Sequence, residues 1–222
     1  MKYSAIILAA GSGTRTGLKT NKILIKIGLK KVIEYSLDFF YEHDYCNQII
    51  LVVSKENFNY MLETYSHIVD KVIIGGELRQ DSVNNALTFV DNDYVVIHDG
   101  ARPLIDHDFI SFIVGNLQEH SVISTGSAVK DTIHIHENGF VTGLISREDI
   151  VAVQTPQCFK TSLIKEAYKT AYKESFYGTD DISLIFRYTT IKPYIYVSTK
   201  PNIKFTTIED KLLLEVILNE NR

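Results

Sequence analysis

The chain has 222 residues, of which 45% are hydrophobic and 23% charged, and its 27 acidic and 23 basic residues leave a net charge of −4. This composition excludes a disordered chain, and the acidic balance disfavours a general nucleic-acid binder, which usually carries a basic excess. The two cysteines, Cys46 and Cys158, are too few for a disulfide framework. The length predicts a single domain over residues 1–222. The longest uncharged stretch, residues 3–14, is too short to span a membrane, so we expect a cytoplasmic protein.

Short apolar runs alternate with helical patterns through the first two-thirds of the chain. The predicted strands are Ala5–Leu8, Ile49–Val53, Val72–Ile74, Val95–His98 and Val122–Ala128. Because these runs are rich in Ile and Val without polar alternation, both faces of their sheet should be buried. The alternation predicts a three-layer α/β fold with a mostly parallel, Rossmann-like sheet. In such a sheet, ligands bind beyond the carboxyl ends of the strands.

The pattern changes after Lys130. Residues 131–153 alternate weakly between apolar and polar, and Asn138-Gly139 is a strong signal for a hairpin turn. A hairpin that projects from an α/β core cannot bury both of its faces by itself. We therefore predict a protruding β-arm over residues 131–153 that is used in dimerisation or covers a substrate.

Helical patterns return in the last third of the chain. The predicted helices are Leu163–Lys173, Asp180–Tyr188 and Glu209–Asn219, and a last strand is expected near Ile195–Val197. Thr206 and Glu209 have the spacing of a capping box at the start of the final helix. Earlier in the chain, Asp106 is expected to cap another helix.

The sharpest chemical feature follows the first predicted strand. It reads Leu8-Ala9-Ala10-Gly11-Ser12-Gly13-Thr14-Arg15-Thr16-Gly17, with Asn21-Lys22 soon after. Glycines in such a turn let backbone N–H groups approach a phosphate closely. A dinucleotide fingerprint would need glycine in place of Thr16, and a P-loop would need Gly-Lys-Ser/Thr at its end. An NAD(P)-binding oxidoreductase is thus disfavoured, and a nucleotide-binding module without catalytic activity is a further alternative.

Charge strengthens the case for a phosphate ligand. Before the first carboxylate, Glu34, the chain carries seven basic residues: Lys2, Arg15, Lys19, Lys22, Lys26, Lys30 and Lys31. A positive field beside a glycine turn suits a polyphosphate, because Arg and Lys neutralise the charge that develops during nucleotidyl transfer. A solvated basic face is the alternative for the four outer lysines, at positions 19, 26, 30 and 31.

Ordered motifs along the whole chain carry a family resemblance. The first, residues 9–15 with Lys22, resembles the start of the sugar-phosphate nucleotidyltransferases. The others are Gly75–Val83, His98–Pro103, Asp131–Ile133, Gln154–Gln157, Thr179–Asp181 and Asn202–Thr207. Together they resemble the 2-C-methyl-D-erythritol 4-phosphate cytidylyltransferases of isoprenoid precursor synthesis. No single motif would be sufficient, and the specificity lies in the ordered set.

The resemblance implies a reaction, a metal and an assembly. The phosphate of the acceptor attacks the α-phosphorus of CTP, pyrophosphate leaves, and Mg²⁺ assists. The metal is implied to bind mainly through the phosphates of CTP, with Asp99 as a candidate ligand. The enzyme is implied to be a homodimer joined through the 131–153 arm, so that each active site is shared between two subunits.

The resemblance also assigns roles to individual residues. Arg15 and Lys22 match the residues that stabilise the transition state. The positions implied to bind the nucleotide are Ala9, Ala10, Gly11, Gly13, Gly76, Ser82 and Thr155. Those implied to position the acceptor are Asp99, Arg102, Thr132, Arg147 and Lys204, with Thr132 and Arg147 reaching the site of the partner subunit.

The chain departs from the family pattern at a few positions. Asn21 and Ile23 flank Lys22 where the family usually has Pro and Gln, Thr16 replaces Met, and Gly100 replaces Ala. The ribitol 5-phosphate cytidylyltransferases share most of the motifs and provide the alternative acceptor. Arg147 and the run Thr179–Ser183 favour methylerythritol phosphate.

Overall fold

The structure, a computed structural model, describes residues 1–11 and 21–220. Its strands in chain order are β1 (Tyr3–Ala9), β2 (Lys26–Ile27), β3 (Lys30–Lys31), β4 (Cys46–Val53), β5 (Lys71–Ile74), β6 (Tyr94–Asp99), β7 (Val122–Ala128), β8 (Ile133–Glu137), β9 (Phe140–Ile145), β10 (Val151–Lys160) and β11 (Tyr194–Val197). Its α-helices are α1 (Val32–Glu42), α2 (Phe58–Tyr65), α3 (Arg79–Leu87), α4 (His107–Asn116), α5 (Thr161–Lys173), α6 (Asp181–Tyr188) and α7 (Ile208–Glu220).

Seven strands form the central sheet, in the order β11-β7-β10-β6-β1-β4-β5. Neighbours are parallel except at β10, which runs antiparallel to both β6 and β7. The strands predicted from apolar runs are confirmed. Strand β10 was not predicted, because Gln154, Pro156 and Gln157 interrupt its apolar character, and its pairing with β7 shifts register between Val153 and Gln157.

Helices cover both faces of the sheet. Apolar side chains of α1, α2 and α4 pack on one face, around Leu37, Met61 and Phe109. Those of α3, α5 and α6 pack on the other, around Val83 and Tyr168. The three-layer, mostly parallel α/β fold is confirmed, and both faces of the sheet are buried as its Ile- and Val-rich strands require.

The predicted helix caps have different outcomes. Asp106 caps α4, since its side chain accepts a hydrogen bond from the Asp108 N–H at 3.0 Å. The capping box predicted for Thr206 and Glu209 is wrong by one residue. Helix α7 begins at Ile208, and the carboxylate that accepts from the Thr207 N–H, at 2.8 Å, belongs to Asp210.

The β-arm is the antiparallel hairpin of β8 and β9. Its turn residues Asn138 and Gly139 have φ values of 50° and 88°, the left-handed backbone that this dipeptide favours in tight hairpins. The arm is shorter than predicted, because Val151–Val153 pair with β7 in the central sheet. Phe140 and Leu144 are 76% and 77% exposed, so the hairpin leaves large apolar side chains uncovered in the single chain.

None of the helices in the described ranges is long and apolar enough to cross a membrane. Cys46 and Cys158 are free thiols, and burial raises the pKa of the Cys46 thiol to about 12. Cys158 lies in the core, and the partly buried Cys46 packs against it, so both act as small packing residues.

Candidate active site

The candidate site lies at the carboxyl ends of β1 and its neighbours, where an open parallel sheet binds its ligands. A cavity of about 280 Å³ opens there. Its lining brings together most of the positions predicted to bind the nucleotide, the lysine predicted to be catalytic and two residues predicted to position the acceptor: Ala9, Ala10, Gly11, Lys22, Gly76, Ser82, Asp99 and Lys204. Of the two remaining nucleotide-binding predictions, Gly13 lies outside the described residues and Thr155 lines a neighbouring cavity.

Gly76, the second residue of a glycine pair, lines this smaller cavity. The Gly75 N–H donates to the carbonyl of Val53 at 2.8 Å, and the Gly76 N–H donates to Ser82 Oγ at 3.1 Å. A Cβ at Gly76 would lie 2.2 Å from the Cβ of Asp81, which explains why only glycine fits there. Ser82 therefore fixes the turn that leads into α3, and both Gly76 and Ser82 line the cavity.

Lys22 is held in place by its own local turn. It begins a 3₁₀ turn, Lys22–Leu24, which Asn21 caps by accepting from the Ile23 N–H at 3.3 Å. Ile23 is buried in the core, and Lys22 is only 8% exposed. The two departures from the family pattern thus stabilise the turn that carries the predicted catalytic lysine. The other predicted catalytic residue, Arg15, lies outside the described residues.

A network of ion pairs crosses the floor of the site. Asp99 Oδ2 lies 2.6 Å from Lys204 Nζ, and Asp99 Oδ1 lies 3.3 Å from Arg79 Nε. Arg79 Nη1 also lies 2.8 Å from Oδ2 of Asp181, whose other oxygen accepts from the Tyr168 hydroxyl at 2.5 Å. Burial alone would raise the pKa of Asp99, but the charges of Arg79 and Lys204 outweigh it and hold this pKa well below its usual value.

Arg79 was not among the predicted site residues. It belongs to the Gly75–Val83 motif, but it occupies the first turn of α3, where an exposed basic residue is common. Its two carboxylate partners are 20 and 102 positions away in the sequence. The feature that distinguishes Arg79 from other basic residues is its position between two buried carboxylates. That arrangement arises only in the folded chain, where α3 and α6 meet.

A second and larger cavity of about 840 Å³ adjoins the first. The two share Arg79, Asp99 and Lys204 as lining residues. The larger one also collects polar residues of three motifs, namely Arg102, Gln154, Thr155, Gln157, Thr179 and Asp180. The two cavities therefore meet at a cationic junction, which consists of Arg79, Lys204 and the carboxylate of Asp99.

Lys204 reaches this junction because its segment is tied to the β6 loop. Arg102 Nη1 donates to the carbonyl of Asn202 at 2.7 Å, and Asn202 Nδ2 donates to the carbonyl of Thr155 at 2.8 Å. The Phe205 N–H donates to the carbonyl of Ala101 at 2.8 Å. These bonds fix the Asn202–Thr207 motif against the site and aim the ammonium group of Lys204 at Asp99.

The arm residues are not at either cavity of the same chain. Thr132 and Arg147 are exposed, and neither lines the two cavities described above. Arg147 follows the arm in a short 3₁₀ turn, and its Nη1 donates to the carbonyl of Lys130 at 3.0 Å. Within a single chain, therefore, neither residue belongs to the candidate site.

Two of the N-terminal lysines have local acidic or hydroxyl partners. Lys30 pairs with Asp38 at 2.6 Å, and Lys31 lies 3.5 Å from Glu34 and donates to Tyr60 at 2.6 Å. These local partners engage both charges, and neither lysine lines the two cavities described above.

Gly100 is explained by its neighbour. A Cβ at this position would lie 2.5 Å from Cδ1 of Ile33 and 3.2 Å from the carbonyl oxygen of Leu8. The Ile33 side chain of α1 therefore takes the space that the alanine methyl group of the family pattern would need. This departure is a packing exchange behind the site and leaves its lining unchanged.

Comparisons with known proteins support the resemblance carried by the ordered motifs. The model of the 2-C-methyl-D-erythritol 4-phosphate cytidylyltransferase family matches residues 3–220. Curated relatives of that name from Clostridium tetani and Clostridioides difficile are both 39% identical to the chain, covering 96% and 98% of it and 89% and 94% of the relatives. A crystal structure of 4-diphosphocytidyl-2C-methyl-D-erythritol synthase from Anaerococcus prevotii superposes with a TM-score of 0.87 at 27% identity, covering 98% of this chain and 96% of that one.

Proposed function

Because the chain belongs to the 2-C-methyl-D-erythritol 4-phosphate cytidylyltransferase family, we propose that its two adjoining cavities hold CTP and the sugar-alcohol phosphate. The chain is a nucleotidyltransferase that transfers a cytidylyl group from CTP to methylerythritol phosphate in the non-mevalonate route to isoprenoid precursors. The ribitol 5-phosphate acceptor and the NAD(P) oxidoreductase are not favoured. The observation that carries the assignment to cavities is the cationic junction that the two volumes share.

The proposed reaction is an in-line displacement at this junction. An oxygen of the acceptor phosphate forms a bond to the α-phosphorus of CTP, and the bond from that phosphorus to the bridging oxygen of pyrophosphate breaks. Lys22 and Lys204 line the smaller cavity, and in this reaction their positive charges would stabilise the negative charge that develops on the phosphates. Ala9, Ala10, Gly11 and Gly76 leave room at the cavity wall for a base and ribose, and Gly76 is held by Ser82.

Mg²⁺ fits this site mainly as a partner of the nucleotide. Among the residues that the structure describes, no group of three His, Cys, Asp or Glu side chains could hold a metal ion. Both oxygens of Asp99 already contact Lys204 and Arg79, so we assign the metal to the phosphates of CTP rather than to Asp99. Mg²⁺ commonly binds through substrate phosphates, and it would neutralise the charge of the departing pyrophosphate.

A homodimer would complete the site. The arm exposes Ile135, Phe140 and Leu144, and the rim of the larger cavity exposes Val153 and Phe186. Large apolar side chains left exposed on neighbouring segments favour contact between chains. An arm seated on the cavity of its partner would cover both surfaces and bring Thr132 and Arg147 to the acceptor phosphate.

The cytoplasm is the compartment that suits this enzyme. Cys46 and Cys158 are free thiols, as in most proteins of reducing compartments, and the nucleotide substrate is a cytoplasmic metabolite.

Pyrophosphate release tests the function directly. The purified enzyme is incubated with CTP and Mg²⁺, with methylerythritol phosphate or ribitol 5-phosphate as acceptor. We expect release with methylerythritol phosphate and little with ribitol 5-phosphate. ATP, GTP and UTP in place of CTP are the matched nucleotide controls. Pyrophosphate release with ribitol 5-phosphate alone, or no release with either acceptor, would contradict the assignment.

A further inference from the structure

A buried histidine connects three of the residues predicted for the site. His98, the second-last residue of β6, is fully buried. Its Nε2 lies 3.0 Å from the carbonyl oxygen of Arg102, and its Nδ1 lies 3.3 Å from Thr155 Oγ1. Thr155 Oγ1 in turn accepts from the N–H of Asp99 at 3.0 Å. One imidazole thus lies behind Asp99, Arg102 and Thr155.

The direction of these hydrogen bonds follows from their chemistry. A carbonyl oxygen only accepts, so Nε2 of His98 must carry the proton that is donated to Arg102. In a neutral imidazole the other ring nitrogen is then an acceptor, and the Thr155 hydroxyl must donate to it. The neutral form agrees with the full burial of the ring, since burial lowers the pKa of His98 to about 4.

These two hydrogen bonds determine which further hydrogen bond the Thr155 hydroxyl can make. A hydroxyl has one proton to donate and two lone pairs that accept. The proton goes to His98 and one lone pair to the N–H of Asp99. Thr155 is 5% exposed and lines the larger cavity. The hydroxyl therefore has one lone pair left, so it can accept a hydrogen bond from a ligand in that cavity and cannot donate one.

We propose that His98 is a positioning residue that makes Thr155 an acceptor-only group in the larger cavity, so that Thr155 recognises a hydroxyl of the acceptor substrate. This rests on the proposed function, in which that cavity holds the sugar-alcohol phosphate. A polyol hydroxyl can donate to the lone pair. A carbonyl or ether oxygen at the same place would meet it with another lone pair and be rejected.

The tautomer of His98 is the first test, and it does not depend on the activity. A two-bond ¹H–¹⁵N correlation spectrum of the ¹⁵N-labelled protein at pH 7 distinguishes the two neutral tautomers and the imidazolium ion. We expect the tautomer protonated at Nε2. Protonation at Nδ1, or at both nitrogens, would overturn the proposal, because the Thr155 hydroxyl could then not donate to the ring.

Two substitutions separate the two ring nitrogens. In His98→Asn the amide oxygen replaces Nδ1 and can still accept from Thr155, whereas in His98→Gln the amide nitrogen replaces Nε2 and can still donate to Arg102. We expect His98→Gln to raise the KM for the acceptor about tenfold, the effect of one misdirected hydrogen bond, with kcat changed less than threefold. His98→Asn should keep KM within about threefold of wild type, although its thermal stability falls.

His43 provides a control, because it lines neither cavity. His43 follows α1, is partly buried, and has a ring nitrogen 3.0 Å from the Tyr3 hydroxyl. His43→Gln should change thermal stability without changing the KM for the acceptor. Equal KM effects of the two His98 variants would reduce His98 to a structural residue and overturn the proposal. Loss of transfer in the wild-type enzyme would instead refute the proposed function and leave the tautomer result intact.

Discussion

Arg79 offers a sharp test of the ion-pair network. Replacing it with Met removes the cation that Asp99 and Asp181 share, at 3.3 and 2.8 Å. Asp99 keeps Lys204 as a partner, but Asp181, which is 1% exposed, keeps only the hydroxyl of Tyr168. Breaking a buried ion pair from one side typically costs about 3–5 kcal/mol. The Arg79 side chain is itself about one-third exposed, so we expect a value near the lower end, about 3 kcal/mol.

The assay is equilibrium unfolding in urea at pH 7. With a slope of about 2–3 kcal/mol per molar urea, the midpoint should fall by about 1 M or more. The double variant Arg79→Met/Asp181→Asn should recover a large part of the loss, because the neutral amide needs no cation and can still accept from Tyr168. Asp181→Asn alone should cost less than Arg79→Met, since Arg79 retains Asp99. A midpoint for Arg79→Met close to that of wild type, or a double variant less stable than the single one, would refute the reasoning.

Three further predictions concern catalysis, assembly and pH. Lys22→Ala should lower kcat about 100- to 1,000-fold in the pyrophosphate assay with an unchanged thermal midpoint, and near-normal turnover would contradict a catalytic role. Leu144→Asp should convert a dimer to a monomer in sedimentation analysis and lower the activity; a wild-type protein that sediments as a monomer at assay concentration would contradict the shared site. Because the pKa of Asp99 is lower in the folded than in the unfolded protein, its ionised form stabilises the fold. This contribution is complete above the pKa of the unfolded chain, about 3.9, and is lost as the pH falls toward the pKa of the folded protein. Lys204→Met should therefore destabilise the protein by about 1–2 kcal/mol at pH 7 and by less at pH 3, and an equal loss at both would exclude the ion pair as its cause.

Local patterns explain why so much of the fold could be predicted. The strand Ile49–Val53 is a continuous apolar run because both faces of β4 are buried. The hairpin turn at Asn138 and Gly139 is encoded by two adjacent residues that adopt left-handed backbone. The strand β10 follows no such pattern. Its polar residues line a cavity, and they interrupt the apolar run by which the other strands could be predicted.

The sequence by itself determined the α/β architecture, the family, and the segments that would carry the site, because strand and helix periods and ordered motifs are local properties of the chain. Only the tertiary structure decided which charges meet. Lys204 reaches Asp99 across 105 positions, and Arg79 pairs with Asp181 only where α3 packs beside α6. The polarity of Thr155 likewise depends on His98, a partner 57 positions away. Ion pairs and hydrogen bonds of this kind depend on atoms within about 3 Å of each other, and the packing of the core brings such distant residues together.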